Sequence, residues 1–430
     1  MDAAAALPVP VDWHSEAMQR RRRARYAADR RLQIYGMVAV AFALGFLAIL
    51  VGTLIVSGYK AFVQTVASVE LDLSRADIDR ANLMEANWRG IVRDGLRAQL
   101  GETELSRAEE RDYFNVFTSS APYIVRDRAI ADPRLLDGPA TFAIPLSDPL
   151  DQLAKGEIDR DLPQDRRRVN DAQIGFYDQL AARGLISQPF NWGLFTSNDS
   201  RFPELAGLKG AISGSFWALL VCFLISFPVG IAAAIYLEEF APKNRVTDLI
   251  EININNLAAV PSVVFGLLGL AVFLGWFGLP RSAPLVGGMV LSLMTLPTII
   301  IVTRAALKSV PSAIREAAFG IGASKHETIF HHSLPLAMPT ILTGTIIGLA
   351  QALGETAPLL LIGMNAFITS DPGGLFEAST ALPTQIYIWA DSPERGFVAR
   401  TSAAILVLLG FLVVMNTAAI LLRHRFERRW

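Results

Sequence analysis

Glu355 stands in "ALGETAPLLLIG", a carboxylate about seventeen residues past Met338 in an otherwise apolar run. A charged group at depth in a bilayer costs roughly 2.5–3.5 kcal/mol on insertion scales, so it faces a bundle interior and finds a partner. Gly354 and Pro358 beside it point to a bent or opened helix near a cavity. Two readings stand for Glu355: a hydrogen-bonded or ion-paired structural group, and a group lining a pathway. His326, His331 and His332 lie close together, but a metal site would need a third acidic or cysteine ligand and outer support. Neither is visible, so these histidines read as solvated or interface groups, and no metal or other cofactor is expected. Cys222, the single cysteine, sits in an apolar block and reads as a small buried apolar residue. No G-x-x-x-x-G-K-[ST] phosphate loop occurs, so any ATP hydrolysis must come from a separate subunit. The chain itself is not expected to be an enzyme.

The elements that must position these residues are membrane spans. The chain has 430 residues, is 52% hydrophobic and carries a net charge of −1. Its mean hydropathy is +0.37, and the apolar residues come in long blocks. No global field points to nucleic acid. Six blocks are long enough to cross a hydrocarbon core: 34–56, 209–237, 257–278, 283–303, 338–363 and 401–422. The third is interrupted by Pro261 and several glycines. Arg20, Arg21, Arg22, Arg23, Arg25, Arg30 and Arg31 precede the first block, which reads as an uncleaved anchor. The positive-inside rule keeps that basic N-terminus (1–33) in the cytoplasm. Six crossings return the basic tail (423–430), with Arg423, Arg425, Arg428 and Arg429, to the same side. The loop 304–337 also falls inside.

Residues 57–208 are of different character and fall outside the cytoplasm by the same rule. Acidic residues outnumber basic ones there, and no histidine, cysteine or nucleotide pattern occurs. The stretch reads as an extracytoplasmic accessory domain, α/β or mostly helical, and its opening "VASVELDLSRADIDRANLMEANWRGIVRDGLRAQL" has helical periodicity. The polar break "REAAFGIGASKHETIFHHSLP" reads as helix, turn, helix. Ile314, Ala317, Ala318 and Ile321 make one apolar stripe of small residues that would let another surface approach. Gly320 and Gly322 end the first helix, Ser324 and Glu327 form a capping box that starts the second, and Leu334-Pro335 stop it.

At these residues the sequence resembles a known family. Glu316-Ala317-Ala318, then Gly322, then Leu334-Pro335 is similar to the EAA loop of ABC importer permeases. His332 stands where an aliphatic residue is usual. "FPVGIAAAIYLEEFAP", "NNLAAVPSVVFGLLGL" and "ALGETAPLLLIG" together resemble the phosphate-specific permeases, in the PstA-type form, over about residues 209–422. The resemblance implies an all-α membrane protein of six transmembrane helices with a type I permease core (209–422), plus the extra N-terminal region. It implies that the loop 304–337 carries the coupling helix that seats in an ATPase subunit, with Glu316, Ala317, Ala318, Gly322, Leu334 and Pro335 as the coupling residues. The implied partners are an ATPase dimer, a second permease of the PstC type, a periplasmic phosphate-binding protein and the lipid bilayer of a bacterial inner membrane. There Glu355 would hold an arginine in place or accept hydrogen bonds from protonated phosphate oxygens, which sulfate-like anions lack.

Relatives of this kind often carry an arginine where Gln351 stands, and an arginine and an acidic residue where Ile301 and Arg304 stand, so their path arginines do not carry over directly. Glu355, Arg304 and Gln351 are the candidate path residues. Three rivals remain open from the sequence: a permease for another oxyanion, an ion-gradient secondary transporter, and a membrane-anchored sensor whose insert binds ligand.

Overall fold

The structure, a computed structural model, describes residues 16–75, 78–80, 82–100, 105–370 and 373–426. The expectations for residues 1–15 and for Arg428 and Arg429 fall outside the described residues. Met1–Val56 and Ser57–Trp430 are two compact units. The first unit is occupied by most of α1 (Glu16–Gly58), whose arginine-rich start gives way to exposed apolar residues such as Phe42 and Ile49.

The second unit begins with the insert. Its strand β1 (Val66–Asp72) lies between β2 (Pro139–Pro145) and the short β3 (Ile186–Ser187), both antiparallel to it. The helical periodicity expected from Val66 onward is therefore wrong at its start. Ala67, Val69 and Leu71 are buried while Ser68, Glu70 and Asp72 turn outward, which is a period of two. A helix appears only at α2 (Trp88–Gln99), started by the Asn87 side chain accepting from the Gly90 amide. The sheet is covered by α2, α3 (Arg107–Phe114), α4 (Ala121–Ala131), α5 (Asp148–Ala154) and α6 (Asp171–Ala182). Together they bury Leu71, Trp88, Tyr113, Phe142 and Ile144 in one core. A short turn of helix, α7 (Gly193–Thr196), leads on toward the membrane helices.

Those helices are α8 (Lys209–Ile235), α9 (Arg245–Ala258), α10 (Ser262–Leu268), α11 (Pro284–Lys308), α12 (Ser312–Gly320), α13 (Lys325–Glu327), α14 (Leu334–Gly354), α15 (Ala357–Leu361), α16 (Leu382–Ala390) and α17 (Gly396–Phe426). The chain is mostly helical, with five helices long and apolar enough to span a membrane among the described residues. A bent pair makes a sixth candidate. The central helix α11 packs on α8 and α14. It comes so near α8 that a Cβ on Gly288 would sit 2.5 Å from the Ala218 carbonyl oxygen. Close backbone approach through small residues is how spans associate where lipid is as apolar as leucine.

Three details differ from the sequence reading. The third span is not one rod: Arg245–Ala258 and Ser262–Trp276 meet at 104°. Pro261 has no amide hydrogen and disfavours helix in the residue before it, so the chain turns there. The fifth span ends at Gly354, and α15 restarts after Glu355 and Thr356. Nor do Leu334 and Pro335 stop the preceding helix. Lys325–Gly354 is one continuous helical run, with a π turn over Thr328–Ser333 just before the proline. A π turn changes the hydrogen-bond register, which lets Pro335 enter without breaking the helix.

Candidate functional site

The polar break folds as a hairpin of α12 and α13 at one end of the helix bundle. α12 closes with both bonds of a Schellman motif: Gly322 N donates to Phe319 O (3.0 Å) and Ala323 N to Ala318 O (3.0 Å). That closure needs a left-handed residue, and Gly322 supplies it at φ +90°. The capping box follows at once. Ser324 N donates to Glu327 Oε2 (2.8 Å) and Glu327 N to Ser324 Oγ (3.3 Å).

The expected apolar stripe is divided by the packing. Ala318 is buried, and Ile314 packs on the cluster of Ile235, Leu307, Val310, Ile329 and Ile341. Ala317 and Ile321 point away from that core, and Ile321 is 84% exposed. Ala318 therefore positions the helix and does not face outward. Leu334 is half-buried on the same cluster, while Glu316, Gly322 and Pro335 are exposed. Phe319, which the sequence reading passed over, is exposed on the apex beside Ile321. The apex thus presents Glu316, Ala317, Phe319 and Ile321. His326 stacks on Phe330 with ring centroids 4.5 Å apart. His331 and His332 are exposed.

Three consecutive residues of the π turn Tyr236–Phe240, which follows α8, brace this hairpin and the end of α11 beside it. Successive residues on a helical turn point in different directions, so neighbours in sequence reach different elements. Glu238 pairs with Arg304 (3.4 Å) and Lys308 (3.5 Å) on α11. Glu239 accepts from Arg315 on α12 at 2.7 Å, and the same guanidinium nitrogen donates to Leu307 O at 2.9 Å. Phe240 lies under the Lys325 ammonium, 5.2 Å from the ring centroid. Arg304 also donates to Glu251 on α9 at 2.9 Å. As a path residue Arg304 is thus committed: two carboxylates already neutralise it, and it does not stand free for an anion. One of its acidic partners, Glu238, was present in the quoted "YLEEFAP", where two carboxylates directly after an apolar span were the available signal; Glu251 lies outside that motif.

Glu355 and Gln351 lie near the other end of α14, away from this hairpin in sequence. Gln351 is exposed on the last turn of the helix. Glu355 caps it in an extended conformation (φ −76°, ψ 118°), half-buried, with its amide bonded to Ala352 O. Among the described residues no side-chain partner holds its carboxylate. No arginine among the described residues is held by Glu355.

Residues 226–430 match the family described as binding-protein-dependent transport system inner membrane component. Residues 19–164 match a domain of unknown function. A probable ABC transporter permease protein of Bacillus subtilis, YqgI, is 28% identical over 57% of this chain and 87% of its own length. The phosphate transport system permease protein PstA 1 of Mycobacterium tuberculosis is 32% identical over 52% of this chain and 72% of its own. Among solved structures, the methionine transporter MetNI in an inward-facing conformation aligns with 52% of this chain and 95% of that one, at 17% identity and a TM-score of 0.38. On the sequence relationship the chain belongs to the binding-protein-dependent ABC transporter permeases, as a PstA-type member that carries an extra N-terminal region.

Proposed function

We propose that this multi-pass permease subunit forms half of the pore of an ATP-driven phosphate importer and takes its drive at residues 316–322. The protein is not itself an enzyme; ATP hydrolysis lies on a separate subunit. The observation that carries the coupling reading is the apex of the hairpin. Exposed Phe319 and Ile321 stand on a helix anchored by Arg315, Lys325 and a Schellman turn. Exposed apolar side chains on a rigid, polar-rimmed element mark a contact surface. An ATPase groove is the partner this reading assigns to it, with a second PstC-type permease completing the pore. A phosphate-binding protein delivers substrate on the opposite side. In this topology both termini and loop 304–337 are cytoplasmic and residues 57–208 are extracytoplasmic, in the inner membrane. Residues 34–56 are the first transmembrane helix, and the type I permease core is residues 209–422.

Phosphate as substrate is supported by the PstA-type relatives and by Glu355. A half-buried carboxylate at a helix break accepts a hydrogen bond from a protonated phosphate oxygen and repels an anion that has no proton to give. Gln351, one turn earlier and exposed, adds an amide donor. The test is uptake by proteoliposomes holding both permeases, the ATPase and the binding protein. ATP-dependent phosphate uptake is expected, with sulfate and molybdate competing poorly. Equal competition assigns another oxyanion, and uptake without the ATPase assigns an ion-gradient carrier. Glu316→Lys is expected to keep membrane abundance and lose coupling. An unchanged ATPase response in that variant removes the docking role.

A further inference from the structure

The insert, together with Glu394 in the loop before α17, lines a cavity of about 660 Å³. Its volume lies in the range of small-molecule sites. Arg89, Arg93 and Arg168 line it, and all three are exposed. Asp148, Glu204 and Glu394 line it too, and these are half-buried or buried. Val92, Leu96, Phe117 and Phe202 supply apolar wall.

Glu204 is the informative group. It is 5% exposed, and its Oε1 accepts from the Thr118 hydroxyl at 2.8 Å. Its Oε2 is buried with no hydrogen-bond partner. A buried carboxylate oxygen left unpaired costs more than a typical hydrogen bond returns, so such an atom in a cavity wall calls for a donor. Arg400 does not supply it. That guanidinium lines a second cavity of about 350 Å³, sharing Asp148, Pro203 and Glu204 with the first, and donates to Ala206 O at 2.5 Å. The first cavity thus holds a buried carboxylate oxygen without a donor and three exposed guanidiniums, one of which, Arg168, also faces Asp148. Arginines bind oxyanions through paired N–H donors, and carboxylates accept from ammonium.

We propose that this cavity is an effector site for a small zwitterion, with its ammonium group on Glu204 and Asp148 and its oxyanion on Arg89, Arg93 and Arg168. The aliphatic link between the two charges lies on the apolar wall. Because Glu204 precedes α8 and Glu394 precedes α17, an occupant ties the insert to two spans of the permease. The chemistry is shared by free phosphoethanolamine and by the headgroup of a phosphatidylethanolamine lipid.

The probe is phosphoethanolamine, titrated calorimetrically onto the intact transporter in nanodiscs of phosphatidylglycerol. Saturable binding is expected, with inorganic phosphate alone and ethanolamine alone each at least about tenfold weaker at this site. Arg89→Ala and Glu204→Gln are each expected to weaken binding at least about tenfold. Arg89 is exposed, so its variant keeps the fold and also keeps basal phosphate uptake. Nanodiscs of phosphatidylethanolamine that block the free probe identify the headgroup as the source; continued binding identifies the free molecule. The proposal is overturned if wild type shows no saturable binding in phosphatidylglycerol, or if Arg89→Ala binds as wild type does. It is equally overturned if phosphate alone binds as tightly as phosphoethanolamine, because Glu204 is then satisfied by water.

Discussion

Ile321→Ala separates docking from folding more cleanly than any other change in the hairpin. Ile321 is 84% exposed, so the free chain leaves nearly all of this side chain in water. Truncation removes three carbons, each worth roughly 0.8 kcal/mol when buried, and most of that burial is still to come. The loss on docking is therefore about 2 kcal/mol. That is roughly a 30-fold weaker attachment of the ATPase to this subunit, at a factor of ten for each 1.4 kcal/mol. The permease itself should change by less than about 0.5 kcal/mol, as surface substitutions do. The backbone is undisturbed, because Ile321 has φ −93° and ψ 6°, which alanine adopts freely. The assay titrates the ATPase onto the reconstituted permease pair in nanodiscs and reads its affinity, alongside the melting temperature of the permeases alone. An affinity within twofold of wild type, or a fall in melting temperature with no change in affinity, would refute the reading that Ile321 meets the ATPase.

Arg315→Ala removes the bonds to Glu239 and Leu307 O and should loosen the hairpin by about 2 kcal/mol after discounting its partial exposure. Faster amide exchange confined to α12 is the expected signature, and global destabilisation would speak against a local brace. Gly322→Ala places a Cβ at φ +90° with open space around it, so the cost is backbone strain alone, about 1–2 kcal/mol. Coupling should weaken while the spans stay intact, which protease mapping of the hairpin can check. Glu355→Gln should lower phosphate uptake without lowering membrane abundance; unchanged uptake leaves Glu355 a structural group. Burial raises the carboxyls of Asp148 and Glu204, against hydrogen bonds from Gln152 and Thr118. Asp151, Glu394 and Arg168 also face Asp148, and Arg400 and Asp148 face Glu204. A raised folded value means the folded chain holds protons that the unfolded chain releases. That contribution is full below the ordinary glutamate value of 4.5 and is lost as pH rises through the folded value. Wild type should therefore lose melting temperature relative to Glu204→Gln as pH rises above the ordinary value of 4.5, and a constant difference would contradict this.

What the sequence could carry was whatever depends on near neighbours. The apolar runs declare spans because length and hydropathy suffice. The capping box at Ser324 and the left-handed turn at Gly322 declare themselves because three or four residues decide each. The strand at Val66 was hidden by an alternation that is short and flanked by helical residues. The ion pairs of Arg304 join residues 66 and 53 positions apart, so no local spacing reveals them. The cavity gathers walls from Arg89 to Glu394 and is legible only once the insert is seated on the core.

The proline at 335 shows how such a misreading bears on mechanism. Read as a stop, Leu334-Pro335 would cut the hairpin from the span and leave a joint between the proposed ATPase contact and the pore. The structure instead runs one helix from Lys325 to Gly354, 30 residues long, or about 45 Å at 1.5 Å per residue. One end begins beside the exposed apex and is tethered through Lys325 to Phe240. The other ends at the break that holds Glu355. A continuous helix passes displacement along its length, whereas a loop would absorb it. The π turn at Thr328–Ser333 is the one departure from α register in that run. Under the proposed coupling, movement of the apex would reach the Glu355 break through a single helix, and no separate relay of side chains would be required between the two.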